Sequence, residues 1–148
     1  MGKEIERKFL VRKERLPGEL PEGDQLEQGY LSVDPTVRVR LVTGPDGTRH
    51  AELTIKGKGF LSRDEFNYPV PAEDAETLLA LCRRSLRKVR RRMGRFELDH
   101  FRERDLWLAE IELSDEWERF DHPPWLGEEV TSDPAYTNSR LATERSTG

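Results

Sequence analysis

Residues 4–11 read Glu4-Ile5-Glu6-Arg7-Lys8-Phe9-Leu10-Val11, and the alternation within them decides how the chain is built. In an extended strand successive side chains point to opposite faces, so residues two apart share a face. Glu4, Glu6 and Lys8 therefore stand on one side, while Ile5, Phe9 and Val11 stand on the other with Arg7 among them. The arrangement returns along the chain. Arg38 and Arg40 oppose Val37, Val39 and Leu41, and Glu52, Thr54, Lys56 and Lys58 oppose Leu53 and Ile55. Arg63, Glu65 and Asn67 share a parity against Phe66, until Tyr68-Pro69-Val70 disturbs the run. Lys88, Arg90 and Arg92 alternate around Val89, and Glu97 and Asp99 oppose Phe96 and Leu98. Glu110 and Glu112 oppose Trp107, Ala109, Ile111 and Leu113.

Turn signals separate these runs: Pro35, Gly44-Pro45-Asp46-Gly47, Gly57, Gly59 and Gly94. Pro45-Asp46-Gly47 lies between two alternating runs and reads as a hairpin. A helix is expected from Pro71-Ala72-Glu73-Asp74, whose acids suit a first helical turn. Ala75, Leu78, Leu79, Leu81 and Cys82 give it an apolar stripe, with Cys82 a small buried packing residue. A second helix is expected after Asp133-Pro134, with Asp133 as its cap and Pro134 in its first turn. Pro123-Pro124 stiffens the connection from Asp121 to Gly127, and Ser146-Thr147-Gly148 is expected to fray.

At 148 residues the chain has the size of one domain, expected to span residues 1–148. Only 34% of residues are hydrophobic and 36% are charged, with a mean hydropathy of −0.81. That balance would suit a disordered chain, but 25 basic residues nearly offset 29 acidic ones and aromatic residues are available to pack. The charge must therefore have a structural destination. A single cysteine, Cys82, excludes an internal disulfide and a cysteine-rich zinc site. His50, His100 and His122 have no metal-ligand spacing and read as surface or structural residues. No apolar run approaches the ~20 residues of a membrane span, and Met1-Gly2-Lys3-Glu4 lacks the apolar core of a secretion signal. A cytoplasmic protein with no membrane partner is expected, and an isoelectric point near 5.5 argues against a nucleic-acid partner.

About eight strands, each with one charged face, fit two architectures. One is a sandwich or meander whose mixed charges are solvated on its outer face. The other is a closed barrel whose charges point inward around a hydrated, ligand-binding cavity. The facing sets are Glu4, Glu6, Glu65, Asp99, Glu110 and Glu112 against Lys8, Arg38, Arg40, Lys56, Lys88 and Arg90. Carboxylates hold hard divalent cations, and Arg and Lys hold phosphoryl oxygens.

The E-x-E-x-K of Glu4, Glu6 and Lys8 is the first of an ordered series. Gln28-Gly29-Tyr30-Leu31, Arg38-x-Arg40, Leu53-Thr54-Ile55-Lys56-Gly57 and Arg63-x-Glu65 follow. Lys88-x-Arg90, Asp99 and Ala109-Glu110-Ile111-Glu112-Leu113 come next, then Gly127-Glu128-Glu129-Val130-Thr131, Tyr136 and Asn138. In this order they resemble the CYTH superfamily, the triphosphate tunnel metalloenzymes, and most closely its short bacterial branch. The resemblance implies an α+β, mainly β fold: an eight-stranded antiparallel β-barrel with flanking helices and a charged interior. It also implies divalent-metal-dependent chemistry on a triphosphate, with Mg2+ or Mn2+ as cofactor.

By that resemblance Glu4, Glu6 and Glu112 are metal ligands, with Glu110 and Asp99 completing or supporting the sites. Lys8, Arg38, Arg40, Lys56, Lys88 and Arg90 are assigned to substrate phosphates, with Arg63 and Arg92 as second-rank candidates. Glu65 is a candidate for a second ion or a proton, and Tyr30 for a contact with substrate or Lys88. Catalytic parts are thus expected of Glu65, Lys88 and Tyr30. The family commonly shows R-x-E-x-E where this chain has Arg63-Asp64-Glu65-Phe66-Asn67, so one carboxylate is exchanged for an amide. Asn67 can offer a carbonyl to a cation but no charge.

The expected reaction is hydrolysis of inorganic triphosphate to pyrophosphate and phosphate. Organic triphosphate hydrolysis, of thiamine triphosphate or a nucleotide, and cyclisation of ATP would need a ring pocket built around Trp107, Trp117 or Trp125. Those residues are expected to pack instead. A noncatalytic polyphosphate- or nucleotide-binding module is the third reading. If the protein self-associates, a homodimer is the default assembly.

Overall fold

A computed structural model describes residues 3–144; the expected fraying of Ser146-Thr147-Gly148 lies outside them. Strands β1 (Lys3–Val11), β2 (Asp24–Val33), β3 (Thr36–Thr43), β4 (Arg49–Lys56) and β5 (Ser62–Val70) precede helix α1 (Ala72–Leu81). Strands β6 (Arg84–Met93), β7 (Phe96–Phe101), β8 (Leu106–Glu112) and β9 (Leu126–Glu129) follow, then the short α2 (Asn138–Leu141) and β10 (Thr143–Glu144). The ring runs β6-β2-β3-β4-β5-β1-β8-β7 and closes through β6–β7, antiparallel throughout. This is the closed eight-stranded barrel. β9 and β10 add to the outside of the ring through β1 and β6.

Closure turns the alternation into an inside and an outside. The outward residues Phe96, Leu98, Ala109 and Ile111 pack under the connection after β8, against Trp125 and Leu126. Helix α1 covers β2–β4, burying Ala75, Leu79 and Cys82 against Val39 and Ala51. The inward residues Tyr30, Leu86, Phe101 and Leu108 meet Leu141 and Ala142, so one end of the barrel is filled with apolar side chains. What remains inside is the charged part.

The hairpin expected at Pro45-Asp46-Gly47 joins β3 to β4, with Gly47 at φ +86°, a conformation that glycine adopts without steric cost. Three expectations are corrected. Leu81 is 66% exposed, because at about 100° per residue it lies roughly 120° round the helix from the face of Ala75, Leu78, Leu79 and Cys82. Trp117 is 80% exposed in the connection after β8, so it does not serve as a packing residue. The second helix is a 3-10 turn at Pro134–Tyr136 followed by a single α turn, since Thr137 caps Arg140 and restarts the helix. Asp133 does cap the first of these, accepting from the Ala135 N–H.

Gly29 faces α1, where an added Cβ would lie 2.7 Å from Cys82 Sγ. Gly29→Ala is expected to push the helix off the barrel and cost about 1–3 kcal/mol, read from the urea midpoint. An unchanged midpoint would mean that this contact is loose.

Two carboxylates pin the loops. Glu118 accepts from the Ser114 N–H and hydroxyl at 2.6 and 2.7 Å and pairs with Arg95 at 2.6 Å. Asp105 accepts from Lys13 and Trp107 at 2.6 and 3.2 Å and pairs with His100 at 3.0 Å. The Ser114 backbone holds the Glu118 carboxyl at about 2, and the Lys13 hydrogen bond holds Asp105 at about 2. Both are depressed, so their contribution is present above the unfolded values near 4 and is lost as pH falls through 2. The urea midpoint should drop between pH 4.5 and 2. A variant carrying Asp105→Asn and Glu118→Gln should show a shallower drop, and an equal slope would remove these two groups from the acid transition.

Candidate active site

The inward faces of β1, β3, β4, β5, β6, β7 and β8 surround a charged cavity of about 190 Å³. Cross-strand register shows how its charges are distributed. Lys8 lies opposite Glu110, Arg40 opposite Glu52, Lys56 opposite Glu65, Glu4 opposite Arg63 and Arg90 opposite Asp99. These are complementary pairs. Glu6 lies opposite Glu112, and Glu97 opposite Glu110, and like charges so placed repel. Arg90 lies within 3.2 Å of Glu97 and 3.6 Å of Glu110. No ion pair, among the described residues, reaches Glu6 or Glu112.

The bases are distributed just as unevenly. Arg40 donates to the neutral Gln28 Oε1 at 2.8 Å and has no carboxylate partner among the described residues. Arg38 is 5% exposed; its Nη2 is 3.7 Å from Glu52, and its Nε is buried without a hydrogen-bond partner. Counting round the ring, β3 stands four strands from β8. The barrel thus sets underneutralised guanidinium groups on one wall against underneutralised carboxylates on the opposite one.

Acidities follow from these neighbours. Burial, then Glu110 and Glu4, push the Glu6 carboxyl well up, and it shares a hydrogen bond with Glu110. Burial also raises Glu110, but Lys8, Arg90 and Lys88 outweigh it and hold that carboxyl well below its ordinary range. Burial raises Glu4 against the pull of Lys56. In Glu65 burial is outweighed by hydrogen bonds with Glu4 and Asn67 and by Lys56, leaving the carboxyl at about 2. Burial and the neighbouring Arg38 and Arg90 lower Arg40 to about 9, still a cation at neutral pH.

Under this layer lies a dry ionic cluster. Asp99 and Lys88 are both fully buried, 2.7 Å apart, and Arg90 grips Asp99 through Nε and Nη2 at 2.8 Å each. Burial pushes the Lys88 ammonium down to about 7 against the pull of Asp99. Lys88 also donates to Asn138 Oδ1 at 3.3 Å, and Lys8 Nζ donates to the Tyr136 carbonyl at 2.8 Å. Both lysines therefore hold the C-terminal segment against the barrel.

A CYTH domain family model matches residues 2–143. The chain belongs to the CYTH domain family. It is 38% identical to a protein named inorganic triphosphatase from Acetivibrio thermocellus, covering 95% of this chain and 94% of that one. It is 36% identical to an inorganic triphosphatase of Nitrosomonas europaea, covering 94% and 96%. Two crystal structures of NE1496 share the fold. One, described as a hypothetical protein, gives a TM-score of 0.64 at 33% identity, covering 96% of this chain and 99% of that one. The other, described as an inorganic triphosphatase, gives 0.62 at 32%, covering 96% and 95%.

Of the residues expected at a site, this CYTH barrel brings Glu4, Glu6, Arg38, Arg40, Lys56, Glu65, Arg90, Glu110 and Glu112 to the cavity wall. Tyr30 and Arg63 line a smaller recess that shares Arg38, Lys56 and Asn138 with it. Lys8, Lys88 and Asp99 line neither. Tyr30 accepts from Gln28 at 3.4 Å, and no hydrogen bond joins it to Lys88 among the described residues. Arg92 is corrected: it lines a larger hollow of about 800 Å³ with Phe96, Ile111 and Trp125, residues of the outer face. Glu52, Glu97 and Asn138 also line the cavity, and Gln28 and Thr54 are buried behind it. Of these, Glu52, Thr54 and Glu97 carried the right parity in sequence, while the strand holding Gln28 has no charge alternation.

Proposed function

We propose that this chain hydrolyses inorganic triphosphate to pyrophosphate and phosphate with Mg2+ or Mn2+. The observation that carries the reading is the segregation of charge across the cavity: Arg38 and Arg40 on one wall, Glu6 and Glu112 on the other. A lone anion would satisfy only the first wall and a lone cation only the second. A metal–triphosphate complex satisfies both. The names of the Acetivibrio and Nitrosomonas relatives support the substrate.

The donor set suits a hard cation. Among the described residues no cluster of His, Cys, Asp or Glu is by itself arranged to hold a metal. Magnesium commonly uses one or two carboxylates and completes its shell with water and phosphate oxygens. Glu6 and Glu112 would hold the ion, with Glu4 and Glu110 beside them. When bound, it would supply positive charge to the phosphate oxygens and make a coordinated water more acidic.

The chain's own residues do the rest. Arg38, Arg40, Lys56 and Arg90 take the non-bridging oxygens, offsetting the repulsion that slows attack by water. Arg63 extends this set into the smaller recess. Glu65, held at about 2, is a weak base; its part is to fix Lys56, from which it stands 3.3 Å, rather than to accept a proton. Tyr30 holds Gln28, which holds Arg40. Lys88 and Asp99 work from behind, Asp99 by orienting Arg90 rather than by meeting an ion. Among the described residues the cavity lining contains no aromatic ring, which favours the inorganic substrate over one carrying a base or thiazole.

Phosphate release from inorganic triphosphate, pyrophosphate, ATP and thiamine triphosphate, each with Mg2+, Mn2+ or EDTA, tests the reading. Turnover should be fastest on inorganic triphosphate and absent in EDTA. A preference for ATP or thiamine triphosphate would overturn the substrate, and full activity in EDTA would overturn the metal. Arg40→Ala should weaken triphosphate binding about 10- to 100-fold, the scale of a hydrogen bond to a charged group. Unchanged KM would remove Arg40 from the phosphate site.

A further inference from the structure

Where the family commonly carries a second carboxylate, this chain has Asn67, and its surroundings show what the amide does. Register places Arg38, Thr54 and Asn67 in one row across β3, β4 and β5. Arg38 Nη2 donates to Thr54 Oγ1 at 2.9 Å, and Thr54 donates its hydroxyl proton to Asn67 Oδ1 at 2.6 Å. Asn67 Nδ2 in turn donates to Glu65 Oε1 at 2.8 Å.

We propose that Asn67 is a positioning residue for Arg38, acting through Thr54, and not a ligand of the metal. Thr54 has one proton, and its lone pairs can meet Arg38 only if that proton points away. The Asn67 carbonyl takes it. Glu65 Oε1 accepts on the same side, and the Asn67 amide is its donor. A carboxylate at position 67 can accept but not donate, so it would hold Thr54 while repelling Glu65. One lone pair of the carbonyl that a cation would need already takes the proton of the fully buried Thr54. With Nη2 fixed, the buried Nε of Arg38 keeps a set direction for a phosphate oxygen. The kinetic part of this proposal rests on the triphosphatase reading; the geometric part does not.

The test uses the full chain with Asn67→Asp, Asn67→Gln and Thr54→Val, singly and with Thr54→Val and Asn67→Asp combined. The Arg38 Nε–Hε resonance, assigned by its loss in Arg38→Lys, is followed by 15N NMR in the free protein. It should broaden in Asn67→Asp and be partly restored in Asn67→Gln. With Mg2+ and inorganic triphosphate, KM should rise about tenfold in Asn67→Asp with kcat changed less than about threefold. The Mg2+ activation midpoint should move less than about twofold. Adding Thr54→Val to Asn67→Asp should change KM little further, because both break the same row.

An unmoved Arg38 resonance would overturn the proposal. So would a tenfold shift of the Mg2+ midpoint at constant KM, which would make Asn67 a metal ligand after all. Multiplying effects of Thr54→Val and Asn67→Asp would do the same. If the wild type hydrolyses no triphosphate, that failure belongs to the functional reading, and the Arg38 resonance decides the role of Asn67 by itself.

Discussion

Replacing Glu6 by glutamine is expected to leave the fold intact and to lower metal-dependent triphosphate turnover at least about 100-fold. The two halves of this result have one cause. In the free protein burial and the neighbouring Glu110 and Glu4 favour the protonated form of Glu6, which shares a hydrogen bond with Glu110. A glutamine amide reproduces that protonated form, since its NH2 can donate to Glu110 where the carboxyl O–H did. Stability in EDTA should therefore be unchanged. An amide cannot become the anion that a divalent cation requires. Thermal melts in EDTA, phosphate release with Mg2+, and calorimetric Mg2+ titration check the three consequences. Wild-type turnover in Glu6→Gln would remove Glu6 from the metal site and leave the β1–β8 carboxylates without a function.

The same pair of strands shows why so much of this site was legible in sequence. Glu4, Glu6, Glu110 and Glu112 announce an inward face because a period of two survives closure of the ring: whichever way the strand turns, they turn together. Arg38, Arg40, Lys56 and Arg90 follow for the same reason. Alternation alone left a solvated sandwich open as well as a barrel. The family series selected the barrel, and the β6–β7 pairing closes it.

Parity assigns a face but not a depth along the barrel. Lys8, Lys88 and Asp99 share the inward face yet lie nearer the apolar end, where the C-terminal segment reaches them. Arg92 shares it too, but at the last turn of β6 it passes the rim and lines the outer hollow. Parity also says nothing of strands whose inward residues are uncharged. Leu26, Gln28 and Tyr30 are all buried and alternate in size rather than in charge, so β2 shows in sequence only through its motif. The expected second helix was legible as a cap at Asp133 but not as two separate turns, because Thr137 offers a second cap that periodicity does not register. The function of Asn67 was hidden for a further reason: it depends on which neighbours already donate and accept, and that is a property of the row and not of the residue.

The largest change in stability is expected from Asp99→Asn, at about 3–5 kcal/mol. Asp99 is the sole acid within 4 Å of Lys88 among the described residues, and it also receives both Arg90 bonds. Asparagine keeps the shape but removes the charge, and its NH2 turns one of the two acceptors into a donor facing a cation. Arg90 retains Glu97 at 3.2 Å and Glu110 at 3.6 Å; Lys88 retains only Asn138 and the face of Phe101, 5.3 Å from its Nζ. The uncompensated group is therefore Lys88. That assignment makes the loss separable from a general packing defect. Adding Lys88→Met to Asp99→Asn should recover a large part of the stability, because a buried ion pair exchanged for neutral groups of similar volume is often close to neutral. Urea unfolding of the two single variants and the double variant completes the cycle. If Asp99→Asn falls within about 1 kcal/mol of wild type, or if Lys88→Met only adds to its loss, the cluster is more hydrated than its burial indicates. Asp99 would then be open enough to meet an ion directly, and the division between a dry ionic base and the proposed metal-binding wall above it would have to be given up.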